Sequence, residues 1–169
     1  MNTEHKVLYL VRHAKSSWSD SSLSDRDRPL NKRGRRNAPD MGRRMAEQGH
    51  KPELIISSPA NRAYSTACRI AREIAYEQAD IVTDDRLYFA SMRKLLEELD
   101  DQYQKVMIVG HNPAMTSLLN DLAGISVFNM PTCAIAVLGF DINYWADLHK
   151  VEGELLGYDY PKGPGTFKA

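Results

Sequence analysis

Two arginines and two histidines lie where short apolar runs give way to predicted turns. Arg12 directly precedes His13 at the end of the first run. Arg62 lies about one turn into the helix predicted after the second run, and His111 follows the third. A lone histidine is usually a structural residue, but arginine binds phosphate oxygens in pairs and helix N-termini donate N–H groups to the same anion. Together the four side chains predict a pocket for a phosphoryl group.

The three apolar runs are Val7–Val11, Leu54–Ile56 and Val106–Val109, and each is typical of a strand buried on both faces of a sheet. After the second and third runs a capping residue, Ser58 or Asn112, precedes a proline suited to the first helical position. Both turns are therefore expected to present free backbone N–H groups. We take Ser58 and Asn112 as candidate substrate-binding residues.

Strands and helices alternate along the rest of the chain. A polar loop covers residues 16–29, helices are expected at about 31–48, 59–78, 91–100 and 113–122, and further strands near 81–83, 133–140 and 146–152. This pattern predicts a three-layer α/β/α fold with a mostly parallel central sheet, to which the last two strands add an antiparallel edge. Ligands bind beyond the carboxyl ends of such strands, so the three turns are expected to meet in one crevice.

Length and composition set the broad class of the protein. The 169 residues fit one domain, 1–169, with a Pro/Gly-rich and loosely held tail at about 161–169. The 22 basic and 22 acidic residues cancel, which argues against non-specific nucleic-acid binding. Neither a membrane span nor a signal peptide is recognisable, so a cytoplasmic protein without a membrane partner is expected. The sequence does not determine the oligomeric state, and a monomer is taken as the default. Cys68 and Cys133 lack a metal-site spacing and are expected to be free thiols.

Basic residues are concentrated between Lys32 and Arg44, where the only acid is Asp40. A solvated helix face explains most runs of this kind. Docking of an anionic protein or substrate is the alternative interpretation.

Four motifs resemble those of the histidine phosphatase superfamily and occur in the family's order. Residues 10–18 read LVRHAKSSW and resemble the opening signature. The other three are residues 28–34, which begin Arg-Pro-Leu-Asn, residues 57–67, which begin Ser-Ser-Pro, and residues 109–113, which read Val-Gly-His-Asn-Pro. The resemblance extends from about residue 7 to residue 140. The short length and the Arg-His-Ala-Lys opening are most similar to the SixA-type phosphohistidine phosphatases.

The resemblance implies a mechanism that needs no metal and no cofactor. His13 would attack phosphorus as a neutral imidazole, and Arg12 and Arg62 would hold the nonbridging oxygens. His111 would add a hydrogen bond or a positive charge. An acceptor on the far ring nitrogen of His13 would fix its tautomer, and the sequence does not say which group provides it.

Three residues close to His13 complete the predicted pocket. Ala14 replaces the glycine that usually follows the nucleophile, so the backbone there is expected to avoid positive φ. Lys15 is a candidate phosphate ligand, although an exposed lysine is usually just solvated. Trp18 is a candidate wall of the crevice, although an aromatic residue in such a place more often packs against the protein.

An acid that many superfamily members carry after the strand following the second motif has no convincing match. Asp84 and Asp85 in that neighbourhood are interpreted as turn or solvated residues, and the loop acids Asp20, Asp25 and Asp27 are weak candidates. An alkoxide leaving group needs a proton donor, whereas a phosphohistidine leaves as neutral imidazole. The missing acid therefore favours phosphohistidine on a protein over a small phosphoester as the substrate.

Three alternatives stay open at this stage. A mutase or sugar-phosphate phosphatase of the same superfamily would gain from a carboxylate close to His13. A metallophosphatase would need a ligand spacing that His5, His50 and His149 lack. A noncatalytic phosphate-binding module would share every pocket residue and differ only in lacking turnover.

Overall fold

A six-stranded sheet forms the centre of the computed structural model, which describes residues 6–89 and 91–167. Its strands are β1 Lys6–Arg12, β2 Leu54–Ser57, β3 Val82–Thr83, β4 Lys105–Gly110, β5 Ile135–Phe140 and β6 Glu154–Asp159. Across the sheet their order is β3-β2-β4-β1-β5-β6. Strands β1 to β4 are parallel, whereas β5 is antiparallel to both β1 and β6. The predicted parallel sheet with an antiparallel edge is therefore confirmed.

Helices cover both faces of the sheet, as the three-layer prediction requires. Within the described residues they are α1 Lys32–Glu47, α2 Asn61–Glu73, α3 Met92–Glu97 and α4 Ala114–Ala123. Helices α1 and α2 pack into one buried apolar cluster, and α3 and α4 into a second. Strand β1 contributes to both, because Tyr9 and Val11 enter the first cluster while Leu8 and Leu10 enter the second.

The prediction of a last strand at residues 146–152 is wrong. Residues Trp145–Lys150 form a 3-10 helix, and the strand follows them as β6. Trp145 and Leu148 are fully buried at a spacing of three residues, and the indole N–H of Trp145 donates to the Tyr103 carbonyl at 2.9 Å. A spacing of three places both side chains on one face of a 3-10 helix, whereas a strand would point them to opposite faces.

Helix α2 is shorter at both ends than the predicted 59–78. It ends at Glu73 because Ala75 takes a left-handed conformation, with φ of 57°, and the Tyr76 N–H returns to the Ala71 carbonyl at 2.8 Å. This is the hydrogen bond of a Schellman C-cap. At its start the cap is Ala60 rather than Ser58.

The prediction of a loosely held tail is wrong for the part of it that the structure describes, which ends at Phe167. Phe167 is only 5% exposed and packs into the cluster under α1 and α2. Its N–H donates to Gln48 Oε1 at 2.7 Å, and Arg44 donates to the Pro161 carbonyl at 2.9 Å. The Pro/Gly composition signals local backbone freedom, but a buried aromatic side chain outweighs it.

Both cysteines are free, as predicted, and burial raises the pKa of the Cys133 thiol to about 12. In the part of the chain that the structure describes, no helix has the length and apolar character of a membrane span.

We expect Phe167→Ala to lower the free energy of unfolding by about 3 kcal/mol, because it empties a buried aromatic site. The matched control is Phe128→Ala, since the Phe128 side chain is fully exposed and its loss should change stability by less than about 0.5 kcal/mol. Urea unfolding followed by circular dichroism measures both. Equal stability of the two variants would mean that the tail does not anchor the fold.

Candidate active site

The three predicted turns meet in a cavity of about 220 Å³ at the carboxyl ends of β1, β2 and β4. Parallel strands bring their carboxyl ends to one edge of a sheet, which explains how distant segments converge. The cavity contains Arg12, His13, Arg62 and His111, as expected. Its full lining is Arg12, His13, Lys15, Ser16, Trp18, Arg28, Arg62, His111, Asn112 and Thr132.

The imidazole of His13 is held in one orientation. Its Nδ1 lies 2.7 Å from the carbonyl oxygen of Ala14. Because a carbonyl oxygen can only accept, Nδ1 carries the ring proton and the lone pair is left on Nε2. The Ala14 carbonyl is therefore the acceptor that the sequence does not identify.

Neighbouring elements fix the backbone on either side of His13. The His13 N–H donates to the Gly110 carbonyl of β4 at 3.0 Å, and the Ala14 N–H donates to Thr66 Oγ1 of α2 at 3.0 Å. Gly34, near the start of α1, faces Lys15, and a Cβ there would collide with the Lys15 carbonyl oxygen. A glycine is therefore required at position 34 for α1 to close against the segment after His13.

The second histidine, His111, lies beside the first, with ring centroids 5.0 Å apart. Its Nε2 is 2.8 Å from Ser58 Oγ. Ser58 Oγ also accepts the Ala60 N–H at 3.2 Å, which leaves the hydroxyl proton available for His111. Nδ1 of His111 is buried and has no hydrogen-bond partner among the described residues. Ser58 thus positions His111 and is itself absent from the cavity lining.

Both imidazoles are neutral near pH 7. Burial lowers the pKa of His13 to about 3, and the positive charges of Arg62 and Arg12 act in the same direction against the opposing hydrogen bond to Ala14. Burial and Arg62 likewise lower the pKa of His111 to about 4. A neutral His13 is the form in which Nε2 can act as a nucleophile.

The two arginines are anchored through their outer nitrogens. Arg12 Nη1 donates to the Met130 carbonyl at 2.7 Å. Arg62 Nη1 and Nη2 donate to the main-chain and carboxylate oxygens of Asp25 at 2.6 and 3.0 Å. The Nε atoms of both are buried and lack a partner in the described part of the chain. Both guanidinium groups line the cavity, where they supply positive charge for an anionic ligand.

The loop from Ser16 to Pro29 supplies a charge network that sequence reasoning missed. Arg28 is only 7% exposed and lines the cavity, donating to Ser16 Oγ at 2.7 Å and to Asp25 Oδ1 at 3.1 Å. Tyr88 donates to Asp25 Oδ2 at 2.8 Å. Arg28 begins the motif at residues 28–34, but the sequence does not predict that its side chain lines the pocket. An arginine within a long polar loop was the feature that could have predicted this role, because its guanidinium can form paired hydrogen bonds to a phosphate.

Asp25 serves as a charge partner in this network. Partial burial alone would raise the pKa of its carboxyl, but hydrogen bonds from Tyr88, Arg62 and Arg28 outweigh that effect and lower it to about 2. The ionised carboxylate cannot donate a proton, and it orients Arg62 and Arg28 instead.

The other predicted substrate-binding residues, Lys15, Trp18 and Asn112, differ in whether their side chains are free to contact a ligand. Lys15 is exposed and lines the cavity. Trp18 also lines it but is 73% exposed, and the Arg28 guanidinium lies 3.5 Å from its ring centroid. The amide of Asn112 is engaged with Met130, Thr116 and Asn129, so its polar atoms are used within the protein. None of the described residues that line the cavity is Asp or Glu.

The chain is similar in sequence to known proteins. The family model described as "Histidine phosphatase superfamily (branch 1)" matches residues 8–88. An uncharacterized chloroplast protein of Arabidopsis thaliana is 31% identical over 157 residues, which cover 86% of this chain and 72% of that protein.

Two solved structures share the fold over nearly their whole length. The candidate phosphohistidine phosphatase SixA of Agrobacterium tumefaciens is 29% identical with a TM-score of 0.77, covering 93% of this chain and 99% of that one. The protein histidine phosphatase SixA complexed with tungstate is 20% identical with a TM-score of 0.73, covering 92% and 97%. Motifs, fold and relatives agree, and the chain belongs to the histidine phosphatase superfamily.

Proposed function

We propose that the protein is a metal-independent phosphatase that works through a phosphorylated His13 and removes phosphate from phosphohistidine on a protein. The observation that carries the proposal is a neutral imidazole with its lone pair on Nε2, placed in a cavity that arginines line and to which no described residue contributes a carboxylate. Similarity to the candidate SixA phosphatase supports the choice of substrate.

In the first step the lone pair of His13 Nε2 forms a bond to phosphorus. The bond from phosphorus to the substrate ring nitrogen breaks, and its electron pair stays on the substrate imidazole, which leaves neutral when its other nitrogen carries a proton. His13 becomes a phosphorylated imidazolium whose Nδ1–H remains hydrogen-bonded to the Ala14 carbonyl. That bond strengthens as positive charge develops on the ring.

The arginines stabilise charge on the transferring group. Arg12 and Arg62 line the cavity with their guanidinium groups, and Arg28 adds a third. Phosphoryl transfer depends mainly on positioning and charge neutralisation, so guanidinium groups already fixed by Met130 and Asp25 need little reorganisation.

In the second step water attacks phosphorus and the bond to Nε2 breaks, returning the electron pair to His13. The protons of the water leave with inorganic phosphate. Neither step requires a protein acid when the leaving group is an imidazole, whereas an alkoxide would require one. The acid-poor cavity therefore favours a phosphoramidate over an alkyl phosphate.

The first test compares substrates and a nucleophile variant. We expect the protein to hydrolyse a histidine-phosphorylated peptide faster than aryl or alkyl phosphates. His13→Ala should lower turnover by at least about a thousandfold while binding of inorganic phosphate is retained, and His149→Ala, remote from the cavity, should turn over normally. Phosphate release and calorimetric phosphate binding measure both properties. An unaltered protein as inactive as His13→Ala would instead support a binding module.

The second test concerns the charge of His13. Ring-nitrogen NMR should show it neutral, with the proton on Nδ1, down to about pH 4. Because its folded-state pKa is about 3, below the unfolded value of about 6.5, the associated stability is complete above pH 6.5 and is lost as the pH falls toward 3. A His13 that titrates near pH 6.5 would contradict the assigned environment.

The third test separates positioning from acid catalysis at Asp25. Asp25→Asn should lower kcat/KM for the phosphohistidine peptide about tenfold, because Arg62 loses its charged anchor. Asp27→Asn is the matched control, since this exposed residue lies in the same 3-10 turn. If Asp25 were a proton donor, the loss would fall on alkyl phosphates and spare the phosphoramidate.

A further inference from the structure

A second depression lies beside the phosphate cavity and has no part in the proposed reaction. Its volume is about 380 Å³. We call it the basic groove, and its main walls are Arg33, Arg36, Thr132, Tyr160, Pro161 and Lys162. Thr132 also lines the phosphate cavity, so the two depressions share a wall.

The basic run of α1 divides into two functional halves. Arg44 is bound to Asp159 and Asp40 at 3.0 Å each, and Arg43 also pairs with Asp40. The ion pairs of those two arginines are made within the protein and do not leave them free to bind a partner. Arg33 and Arg36, in contrast, form no ion pair with any described residue, and no described acid lines the groove.

The free cations share one surface. Arg33 and Arg36 are three residues apart on α1 and therefore point to the same side of the helix. Both are exposed, and so is Lys162, which also lines the groove. Tyr160 and Pro161 add apolar surface to the lining. Three cations that form no ion pair with a described residue, together with this apolar surface, complement a peptide segment that carries carboxylates.

We propose that the basic groove binds an acidic segment of the phosphorylated protein while its phosphohistidine occupies the neighbouring cavity. The inference rests on the proposed function and names the kind of partner that this site selects. The shared wall at Thr132 places the acidic residues close in sequence to the phosphorylated histidine. The net charge of zero and the small number of cations argue against a nucleic acid at this surface.

The test uses two synthetic histidine-phosphorylated peptides. One carries three glutamates on each side of the phosphohistidine, and the other carries glutamines at the same positions. The unaltered protein should show a KM about tenfold lower for the glutamate peptide, with similar kcat. Added salt should remove this difference because the charges are exposed.

Charge reversal identifies the surface responsible. Arg33→Glu with Arg36→Glu should abolish the preference for the glutamate peptide and leave kinetics on the glutamine peptide unchanged. Both positions are exposed in the first half of α1, where negative charge is compatible with a helix N-terminus. The control is Lys51→Glu with Lys94→Glu, which makes the same change in net charge at exposed positions outside both depressions.

The outcomes separate the two proposals. Hydrolysis of both peptides with equal KM by the unaltered protein would overturn the docking inference and leave the phosphatase intact. Hydrolysis of neither peptide would overturn the proposed function itself. If the Lys51/Lys94 control lost the preference for the glutamate peptide to the same extent, the effect would come from net charge. That result would also overturn the proposal that the basic groove binds an acidic segment.

Discussion

The hydrogen bond between His13 Nδ1 and the Ala14 carbonyl determines what the cavity can do. It puts the ring proton on the far side of the imidazole and leaves Nε2 unprotonated. Burial keeps the ring neutral, so the lone pair is available at ordinary pH. The proposed reaction depends on this one unprotonated nitrogen in a cavity that His13 helps to line.

That hydrogen bond depends in turn on the sheet and two helices. Strand β4 holds the His13 N–H, and Thr66 of α2 holds the N–H of Ala14, so the two peptide groups that precede the accepting carbonyl are fixed. Helix α1 approaches the backbone of Lys15 so closely that position 34 of the helix has room only for glycine. The buried apolar clusters on the two faces of the sheet thus stabilise a local geometry that is set by a few polar contacts.

The sequence predicts the parts of this arrangement that depend on periodicity and strand ends. Buried runs identify β1, β2 and β4, and the turns after them place Arg12, Arg62 and His111 at one edge. It does not predict the Asp25 network, because that depends on how a long polar loop folds back over α2. The sequence also does not predict that the tail is held in place, because the packing of Phe167 against α1 and α2 is a tertiary contact between distant segments.

The most direct test of the account is to trap the phosphorylated protein. A radiolabelled phosphohistidine peptide is mixed with the protein, the reaction is quenched with alkali within milliseconds, and the labelled residue is located by peptide mapping. We expect a base-stable, acid-labile label on His13. Turnover at the full rate with the label on another residue, or with no label on the protein at any time, would contradict the central role of His13.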